Sequence, residues 1–201
     1  TTKNSDITLS GNVILDTIED LTLSTGSGAG KISVTGTIKS DNGSRNLIMT
    51  AGTGNLELSG NISDINTFKV ETGNTFQADG TITVGNIDIT SSTIDINNNI
   101  TANTGIVALT GSTGINLGAD ITTTDNDLII TGNITRDNNN DLTLSTGAGA
   151  GNIIIDGTIN GSDASKNLDL NAGAGNVEIK KSIGNTTSLD NFTVINAAQV
   201  S

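Results

Sequence analysis

Residues 20–40 read DLTLSTGSGAGKISVTGTIKS, and residues 141–161 read DLTLSTGAGAGNIIIDGTING, an offset of 121 residues. A return of this length at a fixed offset points to an array in which one supersecondary unit is stacked repeatedly, not to a single enzyme core. The match extends both ways. SDITLSGNV at 5–13 aligns with NDLIITGNI at 126–134, and RNLIMTAGTGNLELSGNI at 45–62 aligns with KNLDLNAGAGNVEIKKSI at 166–183, all at the same offset. Further on the offset becomes 124, where Phe68 matches Phe192 and Val70 matches Val194, so three extra residues fall in the turn near 185–189. Turns accept insertions that buried strands do not. The chain is therefore read as one elongated fragment, with residues 1–121 as a first long unit and 122–201 as a partial second one.

Inside the unit runs a shorter beat of apolar, variable, apolar triplets: Ile7/Leu9, Leu21/Leu23, Ile32/Val34, Leu47/Met49, Leu56/Leu58, Phe68/Val70, Ile82/Val84, Ile87/Ile89 and Ile94/Ile96. Alternation of period two puts one set of side chains inward and the other outward, the mark of a half-buried β-strand. No stretch has helical period. Clusters such as TGSGAG, SDNGS and AGTGN separate the triplets and supply the turns and positive φ values of sharp corners.

A domain of 201 residues with only three Phe, no Trp and no Tyr has too few large aromatic side chains to fill a broad interior. Its core must consist of thin layers of Ile, Val, Leu, Ala and Thr. The low charge content and the supply of β-branched residues argue against disorder. Successive equivalent strands, taken from Leu47 to Phe68 to Ile87 to Ile106, lie 21, 19 and 19 residues apart, close to one coil of three short strands and three corners. The expected fold is all-β, a parallel β-helix (β-solenoid), right-handed by the preference of parallel crossovers. It should have about nine to ten turns and be roughly 45 Å long at ~4.8 Å per turn.

The beat is uneven. Leu21 to Leu47 spans 26 residues, because SDNGSR is inserted, whereas Ile7 to Leu21 and Leu128 to Leu142 each span 14. That short interval leaves open which face the strands at 7–9 and 128–130 join. Asn follows Gly at Asn12, Asn55, Asn61, Asn86, Asn133, Asn152 and Asn176. These residues are read either as turn formers or as rungs of a hydrogen-bonded ladder along the coil.

The tandem DLTLSTGxGAG and NLxLxAGxGNxE segments resemble the repeats of large secreted bacterial exoproteins of the filamentous-haemagglutinin type. The resemblance covers essentially the whole chain and is one of repeat style. It implies a right-handed parallel β-helix serving as a shaft or adhesive stalk, secreted or on the bacterial cell surface, where it extends or forms a filament. The Asn-Pro pairs of that family's secretion domain have no counterpart in a chain without Pro. With no leader before Thr1 and no long apolar run, the chain is read as an internal piece of a longer protein, not embedded in a membrane. Its partners would be neighbouring repeats of the same parent and, through strand edges at its ends, further copies stacked end to end.

Little in the sequence offers chemistry. A net charge of −12 makes nucleic acid an unsuitable partner. Without His or Cys the usual general base, thiol nucleophile and zinc ligands are missing, and the expectation is no catalytic site and no bound cofactor. Parallel β-helices also serve as polysaccharide lyases and hydrolases, which makes a carboxylate pair the alternative to weigh. Asp88 and Asp95 each sit inside an Ile-x-Ile triplet, but their seven-residue spacing puts them on different faces. Lys69 should lie one turn from Asp88, where a surface ion pair contributes at most about 1 kcal/mol. The tract DNNND has Asp137 and Asp141 as candidate Ca²⁺ ligands that would make the chain a calcium-stabilised fibre, against the simpler reading of a solvated turn. Thr-x-Thr ladders of the ice-binding kind show only as isolated cases, such as Thr81/Thr83. Glycan binding lacks its aromatic platforms, so an adhesive tip is expected elsewhere in the parent.

Overall fold

The computed structural model describes residues 1–16, 19–137, 141–162 and 166–201. These form 23 strands and no helix, and every pairing between strands is parallel. The coil has three faces, each a ladder running the length of the molecule. Ladder I stacks β1 (Ile7–Leu9), β4 (Ile32–Val34), β7 (Leu56–Leu58), β10 (Thr75–Ala78), the second halves of β12 (Asn86–Ile96) and β14 (Val107–Leu117), β17 (Ile134–Arg136) and β20 (Ile159–Gly161). Ladder II stacks β2 (Val13–Leu15), β5 (Ile38–Ser40), β8 (Ile62–Ser63), β11 (Ile82–Val84), β13 (Ile100–Ala102), β15 (Ile121–Thr123), β18 (Leu142–Ser145), β21 (Leu168–Asn171) and β23 (Phe192–Asn196). Ladder III stacks β3 (Leu21–Ser24), β6 (Asn46–Gly52), β9 (Thr67–Thr72), the first halves of β12 and β14, β16 (Leu128–Thr131), β19 (Ile153–Asp156) and β22 (Val177–Ile179). The nine strands of ladder II make the molecule nine turns tall, roughly 40 Å at ~4.8 Å per turn.

The core is the set of inward triplet positions. In ladder III the register runs Leu47, Phe68, Ile87, Val107, Leu128, Ile153 and Val177, each fully buried. The expected step from Ile87 to Ile106 is corrected here: Val107 is the inward partner of Ile87, and Ile106 lies one residue short of the strand. In ladder I, Leu56, Phe76, Ile94, Ile115, Ile134 and Ile159 stack likewise. Phe68 and Phe76 sit with ring centroids 6.2 Å apart across the interior, a tilted pair that fills one layer.

Corners are made by glycines that stack on glycines. Gly11, Gly36, Gly60 and Gly80 follow one another turn by turn between ladders I and II, and a Cβ built on any of the last three lands on the carbonyl of the glycine below. No other residue fits such a close approach of backbone to backbone.

The short interval that the sequence left open is explained by this topology. Ile7–Leu9 belongs to ladder I, Val13–Leu15 to ladder II and Leu21–Ser24 to ladder III, so 14 residues cross two whole faces. The sequence repeat and the coil are out of step. β1 lies in ladder I, yet its sequence counterpart β16 lies in ladder III; β3 lies in ladder III and its counterpart β18 in ladder II; β2 lies in ladder II and its counterpart β17 in ladder I. From β1 to β16 the chain crosses seventeen faces, because β12 and β14 each cover two. Seventeen is not a multiple of three. One 121-residue unit therefore makes five and two-thirds turns, and the second copy is rotated by one face about the axis.

Candidate functional site

At each corner the strand ladders break and main-chain N–H groups need another acceptor. Side chains of Asn and Asp supply it, each accepting from a residue one turn onward. Asn12 Oδ1 accepts from the Thr37 N–H at 3.0 Å, and its counterpart Asn133 accepts from Thr158 at 3.1 Å. Asp6 accepts from Lys31, and its counterpart Asp127 from Asn152, both at 2.7 Å. Asn61, Asn86 and Asn99 do the same for Thr81, Ile106 and Asp120.

In places the side chains also join each other. Asp20 accepts from both the main-chain and side-chain nitrogens of Asn46, each at 2.9 Å, and Asn46 Oδ1 accepts from Asn66 Nδ2 at 3.0 Å. These donors hold the Asp20 carboxyl below the usual carboxylate range. The second copy repeats the arrangement, with Asn167 N–H donating to Asp141 and Asn191 Nδ2 to Asn167. Asn is thus both turn former and rung. Asn55 makes no such bond, with Oδ1 buried and without a hydrogen-bond partner.

Asp141, one of the two candidate calcium ligands, has one carboxylate oxygen committed to this ladder. Asp137 is exposed at the end of β17, its N–H donating to the Leu117 carbonyl at 3.1 Å. Residues 138–140 between them lie outside the described residues. No group of three or more acidic side chains placed to hold a metal ion occurs among the described residues.

Asp88 and Asp95 share β12 but stand on either side of its bend. Asp88 is in register with Lys69 and Ala108 on ladder III, and Asp95 with Gln77 and Asn116 on ladder I. Lys69 does lie one turn from Asp88, but its Nζ pairs with Glu71 at 2.8 Å. The Glu71 hydrogen bond and charge, and then the Asp88 charge, raise the Lys69 pKa. Asp95 has a different setting. One of its oxygens is shut off from solvent without a hydrogen-bond partner. Burial pushes its carboxyl above the usual range, and the charges of Asp137 and Asp79 add to that. Asp137 is exposed as a residue, but its carboxyl is partly shielded from water, and that desolvation raises it as well. The sequence showed Asp95 only as an outward strand residue; the crowding is invisible until Gln77, Asp95 and Asn116 are set in register.

Two further features escaped the sequence reading. Arg136 occupies the inward place that Leu15 has in the first copy, with Leu117 and Gly161 as its neighbours in the ladder, and is 2% exposed. On ladder II the outward residues Ser63, Thr83, Thr101, Thr122 and Ser145 stand in one unbroken column over five consecutive turns. Hydroxyl recurrence on this face is therefore regular, where the sequence alone shows isolated cases, because turn lengths vary between 18 and 23 residues in this column and hide the period. The depressions found are corner grooves, such as one of about 210 Å³ beside Asn97, Asn99 and Asp120. No helix of the described residues is long and apolar enough to cross a membrane. No family model, curated protein or solved structure matches the chain.

Proposed function

We propose that the chain is a segment of the shaft of a secreted or cell-surface bacterial protein, a structural element that holds an adhesive tip away from the cell or builds a surface fibre. One observation carries this reading: three parallel ladders, one of nine strands and two of eight, stack along the axis, so that a load along it is shared by hydrogen bonds on every face. The corners support it. They are short, glycine-stacked and capped by Asn and Asp, which suits an element repeated for length. The repeat style shared with filamentous-haemagglutinin-type exoproteins points the same way. In this role the chain works through stiffness and reach, and its natural neighbours are further units of the same kind at both ends.

Antibodies raised against the folded chain and applied to intact source cells test the proposal. Gold label standing off the envelope is the expected result in electron micrographs. Label that appears only after lysis overturns it.

A further inference from the structure

Asn followed by Gly occurs twice, at Asn42–Gly43 and at Asn160–Gly161, and the fold treats the two pairs oppositely. Asn42 and Gly43 lie exposed in the loop between β5 and β6, Gly43 with φ +69°. A Cβ placed there would meet only the Asp64 carbonyl, at 3.9 Å. Among the described residues nothing accepts a hydrogen bond from the Gly43 N–H. Around the Asn42 side chain, by contrast, donors converge on one atom. Oδ1 accepts from Ser44 Oγ at 2.8 Å, from the Ser44 N–H at 3.2 Å and from Ser40 Oγ at 3.3 Å. Arg45 Nη1 in turn donates to Ser44 Oγ at 2.8 Å.

We propose that Asn42 is a site of spontaneous modification, losing its side-chain amide through a cyclic imide formed with Gly43. The Gly43 nitrogen bonds to Cγ of Asn42. Oδ1 carries the negative charge of the tetrahedral intermediate, where the Ser44 and Ser40 donors stabilise it. The C–Nδ2 bond then breaks, and Nδ2 leaves as ammonia with the proton given up by the Gly43 nitrogen. Water opens the imide at either carbonyl, giving aspartate or isoaspartate, so the net change is water consumed and ammonia released. Glycine permits the reaction because no side chain shields its nitrogen.

At the second pair the attacking nitrogen is blocked. Gly161 is buried in β20 and its N–H donates to the Thr187 carbonyl at 3.0 Å, so a donor on the side-chain oxygen, the Thr186 N–H to Asn160 Oδ1 at 3.0 Å, is not enough for attack. The repeat itself shows that an acid is acceptable at the first place. SDNGSR at 40–45 aligns with GSDASK at 161–166, so Asp163 is the sequence counterpart of Asn42 and Ala164 that of Gly43. Modification of Asn42 turns the first copy's loop toward the chemistry of the second and adds one negative charge to the corner between ladders II and III.

The test is incubation of the folded chain in mildly alkaline buffer, followed by peptide mapping with enzymatic detection of isoaspartate. Asn42 should convert at least about tenfold faster than Asn160, because the Gly161 N–H must first be freed by local opening. In denaturant the two rates should converge. Equal rates in the folded chain, or an Asn42 that outlasts Asn160, overturn the proposal. Gly43→Ala should nearly abolish conversion. Ser44→Ala should slow it several-fold, and an unchanged Ser44→Ala rate overturns the part assigned to the Oδ1 donors.

Discussion

Asp95 shows how stacking changes a residue that would be ordinary on an isolated strand. Its outward place on β12 keeps it near water, yet Gln77 below and Asn116 above leave one oxygen enclosed, and Asp137 and Asp79 add like charge. Ionisation is harder in the folded chain than in the unfolded one. The contribution of the protonated group to stability is therefore complete below the ordinary carboxylate pKa and is lost as the pH rises through the raised value. Asp95→Asn, which does not ionise, should raise the melting temperature at neutral pH, and the gain should disappear in acid. Thermal melts of both proteins across that window check it; a variant less stable than the parent at neutral pH contradicts the burial of charge. Asp20 has the opposite sign. Its carboxylate is held by Asn46 and strengthens the fold above the ordinary pKa, a contribution lost as the pH falls through the lowered value.

Among the elements, the corners are less tolerant than the strands. A strand accepts Ile, Leu or Phe inward, as the ladder I column from Ile32 through Leu56 and Phe76 to Ile94 shows. A stacked corner glycine accepts nothing larger. Gly60→Ala drives a methyl group into the Gly36 carbonyl, which belongs to the main chain of the turn below and has little room to retreat. The substitution should cost about 1–3 kcal/mol or more, as overpacking does. Gly11→Ala is the internal control. It heads the same column, nothing lies within 4 Å of its added Cβ, and the change should stay within about 0.5 kcal/mol. Denaturant melts of the pair separate steric exclusion from a general intolerance of alanine. Equal losses at both positions would show that backbone entropy, not the stacked carbonyl, sets the effect.

At the scale of the molecule, the mismatch between repeat and coil decides what surface the shaft shows. Each solenoid turn touches only the turns beside it, so the pairings inside a unit are preserved when the unit is rotated as a whole. β3 stacks on β6 as β18 stacks on β21, although the first pair lies on ladder III and the second on ladder II. In an array of such units, equivalent side chains come back to the same face only every third copy. Engineered cysteines report this directly in a chain that has none of its own. Thr122 and Ser145 are outward register partners on ladder II, with Cα atoms near 4.8 Å apart, inside the range that a disulfide spans. Thr122→Cys with Ser145→Cys should cross-link on oxidation, and Thr110→Cys with Ser145→Cys should not. The reverse result would place the second copy on the faces of the first.

Much of this was legible in the order of residues. Alternating Ile, Leu and Val set which side chains face inward, because a strand's period of two admits only one burial pattern. The glycine clusters marked the corners, and the 121-residue return marked a stacked array. Three-dimensional structure alone assigned each strand to its ladder, gathered the hydroxyl column from Ser63 to Ser145, and crowded Asp95 against its neighbours. The reason is physical. Inward and outward are decided within a few residues, whereas the face a strand joins depends on the running count of every corner before it, and β12 and β14 each turn a corner within one continuous strand.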